Sequence, residues 1–314
     1  MTSRISVFAR AAPRGGAIAS GLLLLAILAG CTTASTGTSS GPSAIPSASA
    51  SRFGHVHGVG FDETSDAVYI ATHTGLYTVS GSLNSPKQSA SLGGPIAGLR
   101  QDNMGFAIDG ERMYASGHPD PAVSSEANLG LISSTDRGKT WRALSLKGIT
   151  DFHDLEISHS SPGATTIYGF DSADAVIRVS RDGGSTWTSG SALAMRDMAA
   201  DPALPGTIYA TTSDGLKVSH DYVASFEPSP GAPALYLIAA AGSAAQPQLV
   251  GIDAAGVVWK KFADTPWQAT GAVSGTADAL SLSVGATSTL IVADQRGIVA
   301  SSDYGATWRI LVTD

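Results

Sequence analysis

Ser134-Thr135-Asp136-Arg137-Gly138-Lys139-Thr140-Trp141 returns as Ser180-Arg181-Asp182-Gly183-Gly184-Ser185-Thr186-Trp187 and again as Ser301-Ser302-Asp303-Tyr304-Gly305-Ala306-Thr307-Trp308, a shared S-x-D-x-G-x-T-W pattern. A worn copy, Ser219-His220-Asp221-Tyr222-Val223-Ala224-Ser225-Phe226, keeps the Ser, the Asp and an aromatic. Each residue type suits a tight turn: Asp accepts backbone N–H groups, Gly takes a positive φ, and the aromatic covers the hairpin from the next strand. With Trp267 as a further aromatic, the anchors Trp141, Trp187, Phe226, Trp267 and Trp308 recur roughly every 40 residues.

Upstream lies a second landmark, seen in Gly75-Leu76, Gly130-Leu131, Ala175-Val176, Gly215-Leu216, Gly256-Val257 and Gly297-Ile298. Before each comes a run rich in β-branched and aromatic residues, such as Val68-Tyr69-Ile70-Ala71 or Thr207-Ile208-Tyr209-Ala210, which reads as a strand. Repeats of this length, with about four strands each, bury their faces best when neighbours stand side by side in a ring. The expectation is an all-β, six-bladed β-propeller over 53–314. Seven blades are the alternative, should another set of strands lie between Tyr77 and Asn103.

The four turns resemble those of the Asp-box (BNR) repeat proteins, the sialidase-like β-propeller superfamily. Within it, His55-Val56-His57-Gly58, Ala71-Thr72-His73, Met104-Gly105-Phe106, Ser116-Gly117-His118-Pro119 and Asp151-Phe152-His153 are similar to signatures of an exported bacterial lipoprotein branch often labelled glycosyl hydrolase. The resemblance implies that Asp136, Asp182, Asp221 and Asp303 are structural. It places their turns between third and fourth strands, on the face opposite the ligand.

The N-terminus points to export. Arg4, Arg10 and Arg14 precede an uncharged apolar run from Ala17 to Ala29, the layout of a secretory signal over 1–30. Leu28-Ala29-Gly30-Cys31 resembles a lipobox, so Cys31, the sole cysteine, is the expected lipidation site and new N-terminus. Residues 31–52 are almost wholly Ser, Thr, Ala, Gly and Pro, a flexible tether. The chain is therefore expected on the extracytoplasmic side, held to the membrane through its lipid, as a monomer. Loss of the leader takes three of 19 basic residues and none of 26 acidic ones, leaving a net charge of −10 that disfavours nucleic acid as a partner.

In a propeller, loops entering first strands and leaving second strands emerge at one end of the channel. That brings five of the seven histidines to one mouth: His55, His57, His73, His118 and His153. Convergent neutral imidazoles beside an acid suit a transition metal such as Zn or Cu. The same histidines can instead satisfy backbone groups in a polar channel or, when protonated, hold an anion. His159 and His220 fall in a turn and in an Asp box, so they are set aside. Asp154, Glu156, Arg196 and Tyr236 share the mouth and are the catalytic candidates, for a metal-dependent hydrolase or for sialidase-type chemistry. The aspartates Asp171, Asp214, Asp253 and Asp294 are placed level with His73, and an insertion from Pro119 to Asn128, with Asp120 and Glu126, is placed over the mouth.

A sialidase needs an arginine cluster for the substrate carboxylate, and Arg52, Arg100, Arg196 and Arg296 are the available pieces. The arginine-bearing stretch that opens a sialidase propeller is missing, because the corresponding strand reads Phe53-Gly54-His55-Val56. Three functions follow in order: a metal- or ligand-binding module, a sialidase-like glycoside hydrolase, and a protein-interaction propeller. The ligand is a small molecule, a glycan or an envelope protein. Phosphate-cradling glycine loops and paired cysteines are missing, and no G-x-S-x-G elbow falls within the repeat region 53–314, so nucleotide, thiol-redox and serine-hydrolase roles have no support.

Overall fold

The computed structural model describes residues 52–313, apart from 82, 84–89, 162–163, 244 and 286. The leader, Cys31 and the tether up to residue 51 lie outside the described residues. Blade 1 consists of β1 (Val56–Asp62), β2 (Ala67–Thr72), β3 (Gly75–Ser80) and β4 (Ser91–Gly93). Blade 2 follows with β5 (Asp102–Asp109), β6 (Arg112–His118), β7 (Leu131–Ser134) and β8 (Arg142–Ser145). Blade 3 is β9 (Phe152–Ser161), β10 (Ala164–Asp171), β11 (Val176–Ser180) and β12 (Thr188–Ala192). Blade 4 is β13 (Asp197–Ala200), β14 (Ile208–Thr212), β15 (Gly215–Ser219) and β16 (Glu227–Pro228). Blade 5 is β17 (Leu235–Ser243), β18 (Gln246–Asp253), β19 (Val257–Phe262) and β20 (Gln268–Ala272). Blade 6 is β21 (Ala279–Val284), β22 (Ser288–Asp294), β23 (Gly297–Ser301) and β24 (Arg309–Val312).

Every sheet is a four-stranded antiparallel meander of consecutive strands, and first strands pack in order around the axis, with β21 returning to β1. The ring has six blades, since the stretch between Tyr77 and Asn103 supplies only the outer strand β4 among the described residues. Burial peaks in the middle strands, where both faces meet a neighbouring blade: β2 and β23 are buried at every position, whereas both residues of β16 are exposed.

The core is correspondingly divided into six apolar wedges, one per seam. Tyr168, Ile177, Met198 and Ile208, for example, fill the seam between blades 3 and 4. The expected role of the box aromatics needs a correction here. Besides covering their own hairpins, they reach back over the seam to the preceding blade, Trp141 onto blade 1, Trp187 onto blade 2, Phe226 onto blade 3, Trp267 onto blade 4 and Trp308 onto blade 5. Blade 1 has no box, so the closing seam between blades 6 and 1 is filled differently, with Phe53 edge-on to Tyr77 at 5.4 Å between ring centres.

The four Asp turns join third to fourth strands. In each, the carboxylate ties the turn shut: Asp182 accepts Ser180 Oγ at 2.7 Å, Thr186 N–H at 2.9 Å and Thr186 Oγ1 at 2.6 Å. The position two beyond the Asp has positive φ, +94° at Gly184 and +65° at Val223 in the worn copy. Because first strands begin at one end and third strands finish at the other, these turns lie opposite the end where β1, β5 and β9 start.

Candidate functional site

The channel mouth is shaped by one irregularity repeated around the ring. In β1, Val56 pairs with Thr72 and Gly58 with Ala71, so His57 is an extra residue. In β5 the extra residue is Met104, in β9 it is His153, and in β17 it is Tyr236. Arg196 and Asp278 occupy the corresponding places, each donating its N–H to a carbonyl, of Thr211 and Ala293, whose residue also pairs with the next residue on. A bulge leaves its extra residue unpaired and re-aims the side chain. Five of these six, all but Tyr236, line an axial cavity of about 360 Å³ bounded by the first strands. Tyr236 stands beside it, with the Arg196 guanidinium 4.8 Å from its ring centre.

Blades 1 and 2 meet in a cluster of three imidazoles and a carboxylate. His57 Nε2 lies 3.2 Å from His73 Nδ1 and 3.3 Å from Asp102 Oδ1, while His73 Nδ1 lies 2.8 Å from Asp102 Oδ2. His55 Nδ1 is 3.3 Å from His57 Nδ1, and donor atoms from all three histidines fall within 4.8 Å of one another. Asp278, across the closing seam, is 4.0 Å from His55 Nε2. Burial pushes the Asp102 carboxyl up, but the hydrogen bonds and charges of His57 and His73 outweigh it and hold the group below the ordinary carboxylate range. Burial, reinforced by the neighbouring His57, lowers the pKa of His55.

The other two mouth histidines form a separate group between blades 2 and 3. Asp151 Oδ2 is 3.3 Å from His118 Nε2 and 2.9 Å from His153 Nε2. The hydrogen bond to Asp151 raises the pKa of His153, against the opposing effect of burial. The five histidines expected at one mouth are thus all there, arranged as a group of three and a group of two.

Deeper in the channel, Asp154, Glu156 and Asp197 retain some accessible surface, but it faces the cavity, and protein surrounds them. Each accepts one backbone N–H from the next blade: Met198 to Asp154 at 2.9 Å, Ala200 to Glu156 at 3.3 Å and Ile238 to Asp197 at 2.6 Å. Burial first, and like charge second, push Glu156 and Asp197 well above the usual carboxyl range, and burial raises Asp154 to about 7.

Several expectations are revised. Asp171, Asp253 and Asp294 pair one step before the place of His73 and tie turns, Asp253 for instance accepting Ala255 N–H, Val257 N–H and Trp259 Nε1–H. Asp214 lies one step beyond that place, its N–H donated to Thr212 Oγ1 at 3.2 Å. Of the arginines, Arg296 is locked on Asp294 and Arg178 on Asp171 and Asp174, while Arg196 lines the cavity. Asp120 accepts the Arg100 and Ala122 N–H groups, and Glu126 lies 3.5 Å from Lys147, so the insertion acids serve the loop. His159 pairs with Asp109 and His220 with Thr207, away from the mouth. Asp102, Asp151 and Asp278 were missed; the signal that could have found them is their place level with His55, or with His57, in successive repeats.

No family model matches the chain, and no curated protein is similar to it. Among solved structures, a nidogen/laminin complex matches with a TM-score of 0.53 at 15% identity, over 77% of this chain and 90% of that one. A GH74 xyloglucanase from Xanthomonas campestris matches with a TM-score of 0.50 at 18% identity, over 81% of this chain and 45% of that one. YCF48 bound to a D1 peptide matches with a TM-score of 0.46 at 13% identity, over 81% and 80%. The chain spans less than half the length of the GH74 enzymes it matches. At such identities the likeness to the nidogen/laminin complex and the xyloglucanase shows the fold alone, and the chain itself is a six-bladed β-propeller.

Proposed function

We propose that the protein is a lipid-tethered propeller of the cell envelope that binds a transition metal, zinc or copper, where blades 1 and 2 meet at the channel mouth. The supporting observation is the convergence of His57 Nε2 and His73 Nδ1, 3.2 Å apart, on the Asp102 carboxylate, whose Oδ2 lies 2.8 Å from His73 Nδ1 and whose Oδ1 lies 3.3 Å from His57 Nε2. A tetrahedral zinc ion with bonds of about 2.0–2.1 Å holds its donors roughly 3.3 Å apart. His55 supplies a fourth donor nearby. The donor set is two or three imidazoles with one carboxylate, borderline chemistry that suits zinc or copper over calcium or magnesium. Asp102 Oδ1 is buried and faces His57 Nε2 at 3.3 Å, which keeps it within the same cluster of donor atoms. The lipobox at Cys31 and the tether supply the envelope assignment.

The test is zinc uptake by the full chain in detergent, measured by calorimetry and metal analysis. One equivalent should disappear in a His57→Ala, His73→Ala double variant. A wild-type chain that takes up no zinc and no copper overturns the reading.

A second reading, a glycoside hydrolase, is favoured by the acids inside the cavity. A carboxyl held near pH 7, as Asp154 is, has the protonation state of a general acid at neutral pH. Glu156 shares the cavity, and Arg196 is the group for a substrate carboxylate. Turnover of a fluorogenic sialoside, lost in Arg196→Ala, would establish it. For a protein-interaction propeller the surface offers less: the exposed large apolar side chains Val123, Ile149, Leu204 and Ile310 are dispersed among blade 2 and its exit, blade 4 and blade 6.

A further inference from the structure

Blade 2 repeats the layout of blade 1 one step around the ring. His118 pairs with Asp102 at the end of β6 as His73 pairs with His55, and Asp151 stands two residues before a bulge as Asp102 does. Met104 takes the place of His57, and His153, the bulge of β9, brings an imidazole from the other side.

The tautomer of His118 is fixed by its surroundings. Its Nδ1 lies 2.9 Å from the carbonyl oxygen of Ala127. A carbonyl can only accept, so Nδ1 carries the proton, and in the neutral ring Nε2 is a bare lone pair. That lone pair is 3.3 Å from Asp151 Oδ2, another acceptor. Two acceptors face each other at that distance only with a cation or a proton between them. The second oxygen, Asp151 Oδ1, is buried and has no hydrogen-bond partner. A ring N–H given to a backbone carbonyl with the other nitrogen turned to a charge is the usual posture of a metal-bound histidine.

We infer that His118 Nε2, the Asp151 carboxylate and His153 Nε2 form a second divalent-cation site, independent of the one proposed between blades 1 and 2. The 119–128 insertion is then the device that orients it. Ala127 is held in place because Leu129 N–H binds Gly117 O at 2.8 Å, Gly148 N–H binds Asn128 O at 2.9 Å and Asn128 Nδ2 binds Ile149 O at 3.1 Å.

The experiment is equilibrium dialysis of the full chain in detergent against zinc, with metal analysis of wild type, His118→Ala, His153→Gln and the His57→Ala, His73→Ala variant. Two equivalents are expected in wild type, one in each variant. The cobalt-loaded chain should lose part of its visible absorption in His118→Ala and the remainder when both sites are removed. Thermal unfolding without metal controls for folding, and His153→Gln serves if His118→Ala does not fold. Should wild type, His118→Ala and His153→Gln hold equal zinc, or should nitrogen NMR show His118 doubly protonated at neutral pH with zinc present, the second site is excluded. A chain that loses its zinc in His118→Ala and keeps it in the blade 1 variant would instead overturn only the first site.

Discussion

Val223 occupies the glycine position of the worn Asp turn at φ +65°, a conformation that β-branched side chains resist by about 1–2 kcal/mol. It stays because the side chain is fully buried in the seam between blades 3 and 4, which stabilises by about 1.5–3 kcal/mol. The two effects nearly cancel, so Val223→Gly is expected to change unfolding free energy by no more than about 1 kcal/mol, whereas Ile177→Ala in the same seam costs about 2–5 kcal/mol. Urea denaturation of the two variants checks the contrast; equal losses would mean that the strain is not there. A second residue-level effect concerns acid. The hydrogen bonds from Thr186 and Ser180 hold Asp182 at about 2, and those from Thr140 and Ser134 do the same for Asp136. A depressed carboxyl stabilises the fold above the unfolded pKa of about 4 and ceases to as pH falls through its folded value. Melting temperature should therefore drop more steeply between pH values of about 4 and 2 in wild type than in Asp182→Asn, and parallel curves would refute this.

Among the elements, the first strands carry both the site and a liability. Asp154, Glu156 and Asp197 tie β9 to β13 and β13 to β17 through single backbone N–H bonds, replacing the ladder that strands of different blades do not share. Burial raises Asp197 well above its unfolded value, so the native state binds a proton that the unfolded chain releases, and stability falls as pH rises above about 4. Asp197→Asn keeps the acceptor for Ile238 N–H without the charge. Its stability relative to wild type should improve steadily from acid to neutral pH, which thermal melts in a pH series would reveal; a constant offset would show that Asp197 is not protonated in the fold. The bulges also explain what the sequence made legible. Asp136, Asp182 and Asp303 announce themselves because donor, acceptor and glycine of an Asp turn lie within eight residues, and Asp221 because its turn keeps the Ser, the Asp and an aromatic at the same spacing. His55, His57 and His73 could be grouped because the meander of one blade returns them to one end. The pairing of His57 and His73 with Asp102, or of His118 with Asp151, crosses between blades, where no local pattern records the register. Nothing local in the sequence fixes how the end of one second strand lines up with the next, which is why Asp171, Asp253 and Asp294 looked level with His73 and are one step away.

Across the whole molecule, the closing seam is built differently from the other five. Each blade is complete in itself, so no strand is shared between blades 6 and 1, and Phe53 with Tyr77 fills their seam where a box aromatic backs the seams ahead of blades 2, 3, 4, 5 and 6. Sub-global opening is therefore expected to begin there. The proposed metal at His57, His73 and Asp102 joins blade 1 to blade 2, and the second, at His118, Asp151 and His153, joins blade 2 to blade 3. Neither takes a ligand from blade 6, although His55, beside the first, faces Asp278 across the closing seam at 4.0 Å. Zinc at 100 times its dissociation constant stabilises a site by about 2.7 kcal/mol, and at about 2–4 °C per kcal/mol each site should raise the melting temperature by roughly 5–10 °C. The same metal should slow hydrogen exchange unevenly. Amides of β5, β6 and β9, clamped between both sites, gain protection, while those of β21 and β24, bordering the closing seam, continue to exchange near their metal-free rate. If every strand slowed alike, the ring would be opening only as a single unit, and the gap between blades 6 and 1 would not be its point of failure.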